Sequence, residues 1–351
     1  MQLNVFLGYA CNFRCGYCLQ SPEAETAVRK KGDAAVFVER VIPALADRPI
    51  DRLSYWGGEP LLYWQAIKTI QTALFQAGIP VRKVRLTSNG SLLTPRIVAE
   101  INAMGLHTVI SDHGAFGGPD WQQVGHLQRF SLHFLFTHQS LEVWRWFERI
   151  RGLEDRIGRR IFPHIGWVRA TPGCPEDYWL THADLTIHLG HLRGLARLRL
   201  EGDRLAHDAL EGPYREWRRA MTGEVLPLEP LCHASDHVSV DLEGNRYACH
   251  HSVQSDLRTG QVCEIRPATP ATKAALRQVR RFVHTAECRH CPINRWCRGN
   301  CHRSRTHDVD CRLAKAKHDL FLWIAEREGE PIADLHHHPA GTGWRDRAAP
   351  L

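Results

Sequence analysis

The chain has no apolar run approaching the roughly 18 residues needed to cross a bilayer. Nor does its start look like a secretory leader, because Met1 leads directly into the short apolar stretch Leu3 to Leu7 with no basic segment before it. Internal repeats and long low-complexity blocks are absent. With 43% hydrophobic and 24% charged residues, disorder is not expected. Blocks of Lys or Arg are missing as well: the formal charge of +7 is scattered along the chain and gives no footprint for a nucleic-acid partner. These absences predict a soluble, cytoplasmic globular protein with neither membrane nor nucleic acid as partner. Its 351 residues suffice for one barrel-sized domain and a smaller one.

What the chain does have is cysteine. Twelve thiols without an export signal point to metal or redox chemistry, since the cytosol keeps structural disulfides reduced. Three of them, Cys11, Cys15 and Cys18, fall within eight residues. Three thiolates on one loop can hold three irons of a [4Fe-4S] cluster and leave the fourth open to a second molecule. Cluster-bound thiolates would also cancel part of the formal positive charge.

The first 200 residues alternate short apolar runs with amphipathic helical ones, the mark of βα units around a parallel sheet. Strands are predicted at Leu3 to Tyr9, Arg52 to Trp56, Val81 to Thr87, His107 to Ile110, Leu132 to Phe136 and Ile165 to Val168. Helices are predicted at Ala34 to Leu45, Tyr63 to Gln76 and Pro95 to Met104, with Gly78 as a stop. Six units fit this length. The cysteine loop, Gly57-Gly58-Glu59-Pro60, Ser88-Asn89-Gly90 and Ser111 all follow strands, at the end of a parallel barrel where reactive loops gather. A Gly- and Pro-rich helical connector is expected over 201–230, a cysteine-rich domain over 231–325 and a polar tail over 326–351.

The loop Cys11-x-x-x-Cys15-x-x-Cys18, with Tyr17 before its last thiol and the Gly-Gly-Glu-Pro turn after the next strand, resembles radical S-adenosylmethionine (SAM) enzymes. The resemblance implies an α/β fold, a partial (β/α)6 barrel, in which SAM chelates the open iron and is cleaved to a 5′-deoxyadenosyl radical. It further implies that Gly57, Gly58, Glu59 and Pro60 meet the SAM amino group, with Glu59 offering a carboxylate to an ammonium. Ser88, Asn89 and Ser111 would touch the carboxylate or ribose, and Tyr17 would lie beside the adenine. Read as residues alone, the same positions are a structural turn, polar caps and a packed aromatic ring.

A second set runs Cys232, eleven residues, Gly244, four residues, Cys249, then Cys288-x-x-Cys291-x5-Cys297-x3-Cys301, and finally Cys311. This spacing resembles the SPASM extension of the same family, a small cysteine-rich domain with two auxiliary [4Fe-4S] clusters, for three in all. The resemblance gives Cys288, Cys291, Cys297 and Cys311 to one cluster and Cys232, Cys249 and Cys301 to the other. Cys263 is a candidate fourth ligand, or a plain buried thiol, because no cysteine stands just before Cys232. Zinc is the competing ligand for CxxC pairs.

Two further residues are candidates for catalysis. Cys174 follows the last predicted strand and would give a hydrogen atom to a substrate radical, or else is a small buried hydrophobe. His250 stands where sulfatase-maturing relatives have an Asp base. The resemblance implies a peptide maturase forming cross-links, dehydrogenated or epimerised residues, supplied with electrons by a flavodoxin or ferredoxin. The alternative is a small-molecule epimerase or dehydrogenase acting on an aminoglycoside or sugar, and the early Cys11, which leaves no room for a leader-binding domain before it, moves weight that way. A non-enzymatic electron carrier or zinc protein is the reading outside that class.

Overall fold

A computed structural model describes residues 1–18, 20, 33–45, 48–168, 170, 174–222, 237–247, 258–261, 288, 291–297 and 304–330. Cys232, Cys249, His250, Cys263 and Cys301 lie outside the described residues.

By internal packing the chain forms two units, Met1–Leu180 with Leu231–Arg280, and Thr181–Pro230 with Arg281–Leu351. This division differs from boundaries drawn at 200 and 230. The cause is visible in the first unit, where a strand from beyond residue 230 joins the N-terminal sheet.

That sheet begins with β1 (Gln2–Phe6), β2 (Arg52–Trp56), β3 (Val84–Ser88), β4 (His107–Asp112), β5 (Phe130–Phe136) and β6 (Pro163–Trp167), side by side in sequence order. All neighbouring pairs are parallel. Between them run α1 (Ala35–Ala44), α2 (Trp64–Gln76), α3 (Pro95–Ala103), the short α4 (Trp121–Gly125) and α5 (Val143–Ile157). The six βα units expected from the apolar pattern are therefore an open, mostly parallel α/β sheet, with strand ends shifted by a few residues. On the other side of β1, β7 (His237–Asp241) continues the sheet in parallel, and β8 (Asn245–Tyr247) and β9 (Arg258–Gln261) follow antiparallel.

Sequence reading missed β7. Its five residues, His-Val-Ser-Val-Asp, fall in the segment expected to be a cysteine-rich domain, and they pair because β1 offers a free edge. Gly244, part of the cysteine spacing, is the turn residue between β7 and β8, with a φ of 82° that favours glycine. Asp241 holds the same turn by accepting from the backbone N–H of Glu243 at 3.0 Å and of Asn245 at 2.8 Å.

Alternation along the strands makes two unlike faces. Leu3, Val5, Leu53, Tyr55, Leu86, Ile110 and Leu132 are buried on the helix side. There Tyr55 Oη accepts from Gln71 of α2 at 2.9 Å, and Trp146 of α5 packs on Phe134 and Phe136 at ring separations of 5.3 and 6.1 Å. Each large apolar side chain buried this way stabilises the fold by about 1.5–3 kcal/mol. The opposite, inner face carries polar side chains, among them Asn4, Ser54, Arg85, His107, Ser111 and His133.

The second unit contains α6 (His182–Leu200), α7 (Arg204–Met221), α8 (Asn294–Cys297) and α9 (His307–Arg327). A capping box of Thr181 and Asp184 starts α6, and the Asp203 side chain starts α7. Arg199 ties the helices together: its side chain is 4% exposed and bonds Glu211 of α7 at 3.0 Å and Glu328, just beyond α9, at 2.8 Å.

Among the described residues no helix is long and apolar enough to cross a membrane.

Candidate active site

The cysteine loop leaves β1 through Gly8, and its path is fixed from below. Gly8 has a φ of 144°, and a Cβ there would stand 2.3 Å from Tyr63 Oη. Tyr63 is itself buried, and its hydroxyl accepts the Ala10 N–H at 2.9 Å. The Gly-Gly-Glu-Pro turn closes on the same segment: Glu59 N–H donates to Ala10 O at 2.8 Å, and a Cβ on Gly58 would lie 2.1 Å from that oxygen. Gly57 has no more room, because its Cβ would meet the Phe6 ring at 2.4 Å. The two glycines thus let the turn approach the chain just before Cys11.

Glu59 is only 1% exposed. One carboxylate oxygen accepts the Leu61 N–H at 3.0 Å, starting the short helix Pro60–Tyr63, and the Ser88 hydroxyl at 2.7 Å. The other accepts the Asn89 N–H at 2.8 Å. Burial raises its pKa, and these three bonds work against the rise. The expectation that this carboxylate meets a ligand ammonium does not fit that placement. Glu59 joins the end of β2 to the end of β3.

Ser88 and Asn89 are buried in the same network. Ser88 Oγ accepts the Gly90 N–H at 2.9 Å, while Asn89 Nδ2 donates to Asn12 Oδ1 at 2.9 Å. Asn12 Nδ2 in turn donates to Ser91 Oγ at 2.8 Å. Asn12, between the first two cysteines, therefore fastens the loop to the end of β3. Sequence reasoning missed both it and Tyr63, since a lone Asn or Tyr carries no signal without its partner.

Within the loop Cys15 is buried and Cys11 and Cys18 are half-buried. Burial is the main cause that pushes the Cys15 thiol up to about 12, and the nearby Cys18 and Cys11 add to it. Three thiols this close disfavour one another's ionisation, a penalty that cationic iron reverses on binding. The Phe13 N–H already donates to Cys11 Sγ at 3.4 Å. The donor set fits an iron–sulfur cluster. Among the described residues no group of three His, Cys, Asp or Glu forms a single-ion site.

Tyr17 lies in an aromatic patch beside the loop. Its hydroxyl shares a hydrogen bond of 2.8 Å with His113 Nδ1, and its ring meets Phe116 and Tyr178 edge-on at 5.6 and 5.9 Å. Ser111, half-buried, stands at the end of β4 opposite His133 of β5. The next residue, Asp112, was not singled out from sequence. Its Oδ1 accepts from Arg149 at 3.1 Å and from the Gly114 N–H at 3.2 Å, whereas Oδ2 is buried with no hydrogen-bond partner. An orphaned carboxylate oxygen at this strand end suits a ligand with hydroxyl groups, such as SAM.

Cys174 is buried near the loop. Trp179 Nε1 donates to its carbonyl at 3.1 Å, and burial, with a smaller contribution from Cys18, pushes its thiol up to about 11. In the second unit Cys288 and Cys291 occupy adjacent turns, Cys291 N–H donating to Cys288 O at 3.2 Å. Cys297 ends α8 and Cys311 lies in the first turns of α9, helices that touch through Trp296 and Phe321 at 5.9 Å. All four are half-buried.

Residues 5–111 match the Radical SAM superfamily. The chain is 33% identical over 249 residues to GTP 3′,8-cyclase of Chlorobaculum tepidum, covering 68% of this chain and 66% of that one. It is 36% identical over 109 residues to GTP 3′,8-cyclase of Heliobacterium modesticaldum, spanning 30% of this chain and about a third (32%) of the relative. Among solved structures, anSMEcpe with bound AdoMet superposes with a TM-score of 0.68 at 15% identity, over 93% of this chain and 97% of that one. The same protein with AdoMet and a Cp18Cys peptide gives 0.67 at 14% identity, over 93% and 98%. These last likenesses show the fold. With its cysteine loop and Gly-Gly-Glu-Pro turn, the segment 5–111 matches the radical SAM superfamily, and the parallel sheet it helps to form shares the fold of anSMEcpe.

Proposed function

We propose that the protein is a radical SAM enzyme of the SPASM type that modifies a peptide. The observation that carries this reading is the joining of three strand ends around the cysteine loop: Ala10 to Glu59, Glu59 to Ser88 and Asn89, and Asn89 back to Asn12. When bound, a reduced [4Fe-4S] cluster and SAM supply a 5′-deoxyadenosyl radical able to take hydrogen from an unactivated C–H bond. Cys11, Cys15 and Cys18 hold the cluster, the backbone of Gly57 and Gly58 and the end of β4 hold SAM, and the aromatic patch around Tyr17 keeps water away. Cys174, whose raised pKa keeps it an S–H at neutral pH, is the candidate hydrogen-atom donor.

Cys288, Cys291, Cys297 and Cys311 are assigned to one auxiliary cluster. Cys232, Cys249 and Cys301, with Cys263 as candidate fourth ligand, are assigned to the other, and His250 is the candidate base. A flavodoxin or ferredoxin delivers the electron. Likeness along nearly the whole of anSMEcpe, including its peptide-bound form, supports the peptide reading. The GTP 3′,8-cyclase relatives support a small-molecule substrate instead, and neighbouring genes separate the two: a short precursor-peptide frame or small-molecule pathway enzymes.

Anaerobically reconstituted protein given reductant and SAM is expected to form 5′-deoxyadenosine, with iron for three clusters and no activity in Cys15→Ala. Stoichiometric zinc without SAM cleavage refutes the proposal. For the role of Cys174, product formed in deuterated water should carry one deuterium at an inverted carbon. Absence of exchange, or normal inversion by Cys174→Ala, removes Cys174 from the mechanism.

A further inference from the structure

The inner face of the sheet holds a group that the radical chemistry does not use. Arg85, the second residue of β3, is half-buried, and its Nε is buried without a hydrogen-bond partner. Among the described residues no acidic side chain pairs with it, and the charged neighbour that acts on it is another cation, Arg52 of β2. Arg52 has a neutral partner, the side-chain carbonyl of Gln2. A desolvated guanidinium without a counter-charge is costly, so it is ordinarily paired.

The surrounding register is built for polar contact. Arg85 stands opposite Ser54 of β2 and His107 of β4, and four residues nearer the strand ends His133 of β5 is flanked by Ser111 and His164. Gly166 of β6 leaves the room His133 occupies, since a Cβ there would stand 2.8 Å from its Nε2. His107 Nε2 is 3.0 Å from Ser131 Oγ. Burial first, and neighbouring positive groups including Arg85 second, hold His107 and His133 down to about 4, so at neutral pH both are uncharged and supply N–H donors.

We infer that Arg85, with Arg52 and His107, forms a subsite on the inner face of the sheet for an oxyanion of the substrate, a carboxylate or a phosphate. The inference rests on the radical-enzyme reading only in calling the anion part of a substrate. Arg85 lies three residues before Ser88, and at about 3.3 Å per residue the anion binds on the order of 10 Å from the strand ends where hydrogen abstraction is expected. The substrate is therefore elongated, with its anionic group remote from the reacting carbon. A planar guanidinium beside a neutral imidazole donor suits an oxyanion better than a point charge would.

The test is calorimetric titration of the purified full chain at low salt and neutral pH with inorganic tripolyphosphate and, separately, with glutarate. Binding of the first assigns a phosphate and of the second a carboxylate, and in either case Arg85→Gln should weaken it at least about tenfold. Arg85→Lys should retain part of the tripolyphosphate affinity. Thermal unfolding without ligand is the second readout: removing an unpaired, half-buried cation should leave Arg85→Met as stable as the parent or more so. The inference is overturned by absence of binding for both anions, by unchanged affinity in Arg85→Gln, or by a lowered melting temperature in Arg85→Met, which would make Arg85 a structural residue. None of these readouts requires turnover. Anion binding without 5′-deoxyadenosine formation therefore overturns the enzymatic reading alone, and the converse overturns the subsite alone.

Discussion

Replacing Glu59 by Gln changes one oxygen of a buried carboxylate into an amide nitrogen and keeps its size. The remaining oxygen can still accept the Leu61 N–H and the Ser88 hydroxyl, at 3.0 and 2.7 Å in the parent. The new NH2 then faces the Asn89 N–H, which had a carboxylate acceptor at 2.8 Å. A buried N–H left without an acceptor costs about 1–3 kcal/mol, and the two surviving bonds lose their charge assistance, another ~0.5–1 kcal/mol together. Relief of the buried negative charge, whose desolvation raises the Glu59 pKa, offsets part of this. The net expectation is a loss of about 2 kcal/mol, or roughly 4–8 °C in melting temperature for a unit of this size. The measurement is thermal unfolding of cluster-free, SAM-free protein under reducing conditions, beside SAM affinity in the reconstituted form. If Glu59 instead presented its carboxylate to the SAM ammonium, Glu59→Gln would leave the cluster-free protein unchanged and weaken SAM binding alone. That outcome refutes the structural role derived for it.

Gly58→Ala should empty the cysteine loop of iron, because its φ of 49° and a Cβ 2.1 Å from Ala10 O force the turn away from the loop; normal iron content in the variant contradicts this. Acid should weaken the first unit. Burial pulls His107, His113 and His133 down to about 4, while unfolded imidazole titrates near 6.5, so the unfolded chain binds protons first and stability falls as pH drops from about 6.5 to about 4. Denaturant melts showing flat or rising stability across that window exclude the effect. In the second unit, Arg199→Met should cost about 2 kcal/mol by leaving Glu211 and Glu328 facing each other without their shared cation, and an unchanged denaturation midpoint would count against it.

Much of the candidate site was legible from spacing alone. Cys11, Cys15 and Cys18, the Gly-Gly-Glu-Pro turn and Ser88-Asn89 are local patterns, and the alternation of apolar strands and helices orders them at the strand ends before any contact is known. The partnerships were not legible. Tyr63 supports Ala10, Asn12 meets Asn89 and Asp112 keeps a free oxygen only once distant segments are brought together, and hydrogen bonds across such separations leave no periodicity to read. The role of Glu59 changed for the same reason: its residue type suggests a ligand contact, while its depth makes it a tie between strands.

The sequence by itself determined an α/β chain with a thiol loop after its first strand and a glycine turn after its second, because secondary structure and loop chemistry are set by residues near one another. Only the tertiary structure decided that β7 joins the sheet at the β1 edge, that Glu59 is buried between β2 and β3, and that Arg85 stands opposite His107 on the inner face with no carboxylate paired to it among the described residues. Each of these depends on which strands become neighbours and in what register, and on the burial that follows. Burial is what turns an ordinary Glu or Arg into a group whose partner must be accounted for.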